Sequence, residues 1–198
     1  MHTYSQEALT ERLARLSEGT RVAFAVACAT RLVPLYEAFH EKTGHGDPRV
    51  LRDALEMAWS WVKGDRKEPV IYAATVEALT ALLPEDDEGS LPPGSWAVDA
   101  VSSAIYTLES LTDPDPQKGA WAAEQVVDAV GDSVRSKWIA SHGKLPSPRE
   151  GFSDPVMQEL LSKFDRDLTE LERHGPSVLA SEVERFRRRA ESERPIPE

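Results

Sequence analysis

The chain has 198 residues, of which 40% are hydrophobic and 29% are charged, and its formal net charge is −11 at pH 7. These values are typical of a soluble globular protein of about one domain, and the acidic balance argues against nucleic acid and anionic membranes as partners. The single cysteine, Cys28, excludes an internal disulfide and a cysteine-rich metal site. The first residues lack the apolar run of a signal peptide, so we expect a cytoplasmic location.

The negative charge is concentrated in one third of the chain. The segment from Asp65 to Asp132 holds fourteen acidic and three basic residues, a net charge of −11, whereas acids and bases balance in the remainder. A surface of this kind favours a basic protein as partner. Acidity that only keeps the chain soluble explains the same composition equally well.

The element around which the other segments are organised is Val22–Phe39, which follows a short amphipathic helix of about residues 5–16. Its first eight residues are apolar on every side, which predicts a helix buried on most sides, within a central helix of about residues 20–42. The apolar run ends before about twenty residues accumulate, which argues against a membrane span. The residues that interrupt it are Arg31, Pro34 and Glu37.

Six further helical segments follow, most of them opened by a capping residue or a proline. They cover about residues 48–63, 68–83, 95–111, 116–141, 153–173 and 178–193. The longest break without a helical pattern is 143–151, and no stretch shows strand-like alternation of useful length. The sequence therefore predicts an all-α bundle of seven or eight helices in a single domain, residues 1–194, with a frayed tail at residues 195–198.

Four stretches carry a resemblance in their order and spacing: RVAFAVACATRLVPLYEAF, TGHGDPRVLRDALEMAW, WAVDAVSSAIYTLESL and DPVMQELLSKFDRDLTEL. Together they resemble the bacterial YjaG-like family, a domain of unknown function. The resemblance implies an all-helical fold and assigns no reaction and no catalytic residue. The first third of the chain, with its buried helix and the ending Trp59-x-x-Val62-Lys63-Gly64, is also similar to helical immunity proteins of bacterial polymorphic toxin systems.

One side of the sixth predicted helix carries an aromatic residue and three acids at positions i, i+3, i+7 and i+11. Like charges one turn apart cost about 0.2–0.5 kcal/mol per pair in an isolated helix, and tryptophan is a favoured interface anchor. This stripe therefore predicts a docking surface for a basic partner, although the tryptophan packing on a neighbouring helix beside solvated acids is the alternative. The residues predicted to contact the partner are Trp121, Glu124, Asp128, Asp132 and, in the polar loop 84–94, Asp86 and Asp87.

The sequence offers two further places for chemistry. Arg31 lies in the buried helix and needs a partner; we predict Asp99 of the fifth helix, with a polar site for a small ligand as the alternative. His40 and His45 form a cluster of potential metal ligands near Asp47, but Asp47 already serves as a helix N-cap and no HExxH motif is present. We therefore expect no metal, no cofactor and no catalytic residue.

These observations favour a non-enzymatic protein-binding module, in first place a bacterial immunity protein that neutralises a toxin through its acidic surface. The second hypothesis is a YjaG-like regulatory or signalling adaptor. The third is a small-molecule binder or an enzyme that uses Arg31 or the His40/His45 region. The sequence leaves the partner's identity and the oligomeric state open.

Overall fold

The computed structural model describes residues 2–85, 89, 91–174 and 180–196. Within them the chain forms nine α-helices and no β-strand, which confirms the all-α prediction. One helix more than predicted is present in these residues; it is short and begins within residues 143–151, where the sequence predicted no helix. The helices are α1 (Gln6–Ala14), α2 (Glu18–Thr43), α3 (Pro48–Val62), α4 (Pro69–Thr80), α5 (Gly94–Glu109), α6 (Pro116–His142), α7 (Pro148–Ser153), α8 (Pro155–His174) and α9 (Ala180–Ser192).

Helix α2 is the central helix, as predicted. Every residue from Val22 to Leu32 is buried, and α2 packs against α3, α5, α6, α8 and α9. By length and composition α2 is the one helix of the described residues that could cross a membrane, yet 78% of its apolar window is buried inside the protein. The thiol of Cys28 is fully buried, and this burial raises its pKa to about 12.

The turn between α2 and α3 depends on backbone conformations that glycine adopts readily. Gly44 ends α2 in the left-handed region, with φ of 74°, and Gly46 has φ of 66°, where an added Cβ would collide with the hydroxyl of Tyr36. The carboxylate of Asp47 then accepts a hydrogen bond from the backbone N–H of Arg49 and caps α3. This turn returns the chain along α2.

Helices α5 and α6 run antiparallel, and this pairing creates the site described below. The side chain of Ser95 near the start of α5 hydrogen-bonds to Asp132 late in α6, at 2.9 Å. Farther along α5, the hydroxyl of Ser103 donates to the carbonyl oxygen of Ala122, at 2.8 Å. Because residue numbers rise in one helix as they fall in the other, Asp99 lies in the register between these two pairs, opposite the middle of α6.

The segment after α6 contains the helix that the sequence analysis missed. Ser147 caps α7 in a capping box: its side chain accepts from the backbone N–H of Glu150, and the Glu150 carboxylate accepts from the backbone N–H of Ser147. Helix α7 then packs on α6 and α8, and α9 packs on α2.

At the end of the chain, Ile196 packs against the core, and residues 197 and 198 lie outside the described residues. The frayed tail at residues 195–198 and the single domain stay predictions.

Candidate partner-binding site

Four carboxylates from two helices come together on the α5–α6 face. Asp99 of α5 is 9% exposed, and its Oδ2 atom is buried without a hydrogen-bond partner. Asp128 and Asp132 of α6 are close enough to affect its ionisation, and Asp128 in turn affects Glu124. We call Asp99, Glu124, Asp128 and Asp132 the α5–α6 carboxylate cluster.

The ionisation of the cluster shows that the chain does not fully compensate its charge. Burial, followed by the negative charges of Asp128 and Asp132, raises the pKa of Asp99 to about 8. Burial and Asp132 raise the pKa of Asp128, and burial and Asp128 raise the pKa of Glu124. Arg135 opposes the first two of these shifts but does not cancel them. The carboxylates therefore repel one another when they are ionised.

The ends of the cluster are held by hydrogen bonds. Gln6 of α1 donates from Nε2 to the Glu124 carboxylate, at 2.6 Å. Asp132 accepts from Ser95 at 2.9 Å and forms an ion pair with Arg135. Asp128, between them, is exposed. Asp128 is therefore the carboxylate of the predicted stripe that is most available to an incoming group.

Trp121 lies at one end of the stripe and is 36% exposed. Its ring centroid lies 5.4 Å from that of Tyr106 on α5, with the two rings tilted by 43°. The indole packs on a neighbouring helix, as the second alternative predicted, and still reaches the surface, whereas the docking surface stays a prediction. The predicted contacts Asp86 and Asp87 lie outside the described residues.

The predicted pair of Arg31 with Asp99 is wrong. Arg31, which is 1% exposed, donates from Nη2 to Asp167 of α8 and to Glu193 after α9, both at 2.6 Å. Two more arginines, Arg166 and Arg189, contact the same carboxylates. We call these five residues the α2–α8–α9 ion-pair network.

The network also bears on the small-molecule hypothesis for Arg31. Its Nη1 atom has no hydrogen-bond partner, but the side chain is closed off from solvent between three helices and already holds two carboxylates. A ligand could reach it only by displacing α9. The arrangement therefore fits an internal ion pair better than a ligand site.

The histidine region is likewise occupied by local contacts. The Nδ1 atom of His40 lies 3.0 Å from the carbonyl oxygen of His45, and the His45 ring packs on Phe39. Asp47 serves as the cap of α3. Over the described ranges, no group of three or more histidine, cysteine, aspartate or glutamate residues is placed to hold a metal ion.

An apolar groove of about 530 Å³ runs between α3 and α4. Val70 and Ile71 on its α4 side are 71% and 41% exposed. The groove has a single acidic lining residue, Asp53, and no base. It therefore lacks the pairs of titratable groups from which an active site is built.

Sequence reasoning missed one important charged residue and assigned another to the wrong partner. Asp167 stands on the apolar stripe of α8 between Phe164 and Leu168, and an acid in that position signals a buried cationic partner. Asp99 stands in the apolar run WAVDAVSSA of α5, and was assigned to Arg31 because the register of α5 against α6 was unknown. In both cases the signal was a charge at a core position.

The fold and its carboxylate cluster define an all-helical protein without a recognisable catalytic constellation in its described residues. The family model described as "Protein of unknown function (DUF416)" matches residues 8–190. The chain therefore belongs to the DUF416 family.

A crystal structure of a DUF416 family protein from Shewanella baltica OS155 is similar to this chain, with a TM-score of 0.79 and 23% sequence identity. The match covers 91% of this chain and 92% of that chain. It shows that the two proteins share a fold. A comparison with curated proteins gives no match.

Proposed function

We propose that this protein is a non-enzymatic binding module that docks a basic protein partner on the α5–α6 carboxylate cluster. The observation that carries the proposal is the unpartnered Oδ2 of Asp99 beside Asp128 and Asp132. A buried acceptor without a donor costs about 1–3 kcal/mol. A cationic group docked at the exposed Asp128 would offset the negative charge that this residue exerts on Asp99.

Exposed aromatic surface beside the cluster supports the same proposal. Trp121 and Tyr106 form an aromatic pair at one end of the acidic stripe, and tryptophan, tyrosine and arginine are the residues most enriched at binding hot spots. The surrounding segment carries a net charge of −11. Such a field accelerates the encounter with a basic partner and makes the association rate fall with salt.

Within this proposal, the favoured partner is a toxin with a basic functional surface, which the protein would neutralise as an immunity protein. A regulatory or signalling adaptor is the second candidate. The two differ in the consequence of binding: an immunity protein abolishes a harmful activity of its partner, whereas an adaptor leaves its partner active or redirects it.

The test compares three forms of the full chain as bait in lysate of the source cells. The first is the wild type, and the second is a site variant, Glu124→Gln with Asp128→Asn and Asp132→Asn. The third is a control variant with the same change in net charge, Glu41→Gln with Glu68→Gln and Glu77→Gln, which alters exposed acids away from the cluster. Thermal unfolding of each bait verifies that it is folded.

We expect a basic protein that the wild type and the control variant retain and that the site variant loses. With that protein purified, its association rate with the wild type should fall steeply with salt, because the charges steer the encounter. Co-expression then separates the candidates, since rescue of growth from a toxic partner favours immunity. Equal retention by the site variant would contradict the proposal.

A further inference from the structure

A small cavity of about 280 Å³ opens beside Asp128, between α6, α7 and α8. Its walls are mostly apolar and include two glycines, Gly131 and Gly151, at which an added Cβ would meet no atom within 4 Å. Its volume lies just below the range of about 300–1,000 Å³ typical of small-molecule sites. The apolar side chains that line it are Val127, Val134, Phe152 and Met157.

The two charged residues that line the cavity, Asp128 and Arg135, differ in their partners. Asp128 lines the cavity and also belongs to the α5–α6 carboxylate cluster. Arg135 lines it too, but its guanidinium is paired with Asp132. Asp128 forms no ion pair among the described residues, although the charge of Arg135 acts on it, and the buried carboxylate of Asp99 near it has an oxygen without a partner.

We propose that this cavity receives a single lysine side chain of the basic partner, with the methylene groups against the apolar walls and the ammonium at Asp128. This inference rests on the proposed function and names the group that the partner would insert. Lysine combines a flexible four-carbon stem with a compact ammonium, so it can line apolar surface and keep its charge at the rim.

The apolar lining of the cavity favours lysine over arginine. A guanidinium binds carboxylates best as a planar fork, through two parallel hydrogen bonds, and its three-carbon stem covers less apolar surface than the four-carbon stem of lysine. An ammonium makes three hydrogen bonds in a compact arrangement. Because Asp128 reaches the surface, although neighbouring atoms partly desolvate its carboxylate, its ion pair with an ammonium would cost less desolvation than a fully buried pair.

The test uses Nα-acetyl-lysine methylamide as the probe and the backbone amide resonances of Gly131 and Gly151 as the readout. Nα-acetyl-norleucine methylamide, which has an apolar side chain without the ammonium, is the comparison compound. We expect saturable shifts with the lysine probe and at least tenfold weaker binding of the norleucine probe. Asp128→Asn should also weaken the lysine probe at least tenfold.

A filled cavity provides the structural control. Gly131→Leu places a side chain into the cavity, and the matched variant Gly19→Leu alters another helical glycine that has no neighbours within 4 Å. Lysine-probe binding should be lost in Gly131→Leu and kept in Gly19→Leu. Equal binding of the two probes, or unchanged binding in Asp128→Asn or in Gly131→Leu, would overturn the inference.

The inference and the proposed function fail in different ways. If Gly131→Leu keeps full affinity for the basic partner while the site variant loses it, the partner docks on the cluster without using the cavity, and only the inference falls. If the site variant keeps the partner, the proposed function falls, whatever the lysine probe does.

Discussion

Two regions of this protein hold clusters of charge in opposite states. In the α2–α8–α9 ion-pair network, Asp167 and Glu193 each contact at least two arginines, and the arginines hold the pKa of Glu193 below its usual range against the effect of burial. In the α5–α6 carboxylate cluster, the pKa values of Asp99, Glu124 and Asp128 are raised. The chain compensates the first region internally and leaves the second without enough positive charge.

The comparison separates charges that hold the fold together from charges that remain available. The network joins three helices, so its charges are needed by the folded state itself. The cluster destabilises the folded state at neutral pH, because the raised pKa values of its carboxylates mean that their ionisation is less favourable in the folded than in the unfolded chain. Functional sites are places where local stability is commonly given up, and the cluster therefore stands out as the candidate site for a physical reason that the overall charge of −11 could not supply.

The largest effect is expected from breaking the network. Arg31→Met removes the guanidinium from the Asp167 Oδ2 atom, and Asp167 is fully buried. Removal of one partner from a buried ion pair costs about 3–5 kcal/mol, and the lower end of that range applies here because Arg166 and Arg189 still contact the Oδ1 atom of Asp167. We expect a decrease of that size in the free energy of unfolding, measured by urea denaturation.

Arg187→Met is the matched control. Arg187 pairs with Glu56 and Glu191, both exposed, and surface pairs contribute about 0–1 kcal/mol. If Arg31→Met cost no more than this control, the network would not be a structural element and the comparison between the two regions would fail.

The second effect concerns the cluster and has the opposite sign. The folded-state pKa of Asp99, about 8, lies above its unfolded value of about 4. Between these values the folded state binds more protons than the unfolded state, so stability falls as the pH rises, by up to about 1.4 kcal/mol per pH unit. Asp99→Asn removes this dependence, which amounts to about 4–5 kcal/mol at pH 7.5, but it buries an amide at a site without a partner, at a cost of about 1–3 kcal/mol. The variant should therefore be more stable at pH 7.5 by roughly 2–3 kcal/mol.

The measurement is urea denaturation of both proteins from pH 5 to pH 8. The range starts at pH 5 because Glu170 and Glu193, whose pKa values are lowered, lose their stabilising contribution only at lower pH. Parallel pH profiles of the two proteins would show that Asp99 is ionised in the folded state, and would remove the contrast with the network.

The two regions differ in how much of their structure the sequence predicted. The apolar run of α2 predicted the central helix because burial on all sides leaves a visible pattern, and the spacing from Glu124 to Asp132 predicted one side of the cluster because it lies within one helix. The partners of Arg31 and the position of Asp99 depend on how separate helices align. That register is set by core packing, which local periodicity does not encode.

Helix α7 was missed for a different reason. The segment GKLPSPREG has two prolines and two glycines, which are typical of loops. The Ser147 and Glu150 side chains nevertheless satisfy each other's backbone N–H groups, with Pro148 at the first helical position. The capping signal was present in the sequence, but the helix it opens is too short to show a period.

The smallest expected effect is at Asp128. Asp128→Asn relieves repulsion with Asp132 and Glu124 and should raise the free energy of unfolding by about 0.5 kcal/mol, whereas Glu170→Gln, in contact with Arg185 and Arg189, should lower it. Differential scanning calorimetry of the two variants at pH 7 measures both changes. A loss of stability in Asp128→Asn would indicate that Asp128 is paired within the chain.

The position of Cys28 has a practical consequence. The sequence contains no other cysteine, and this thiol lies in the middle of α2 with no exposure to solvent and a pKa near 12. An alkylating reagent reacts with the thiolate, so it can modify the native protein only when α2 separates from its neighbours. The rate at which Cys28 is alkylated therefore measures how often the core around α2 opens, and the measurement needs no engineered cysteine.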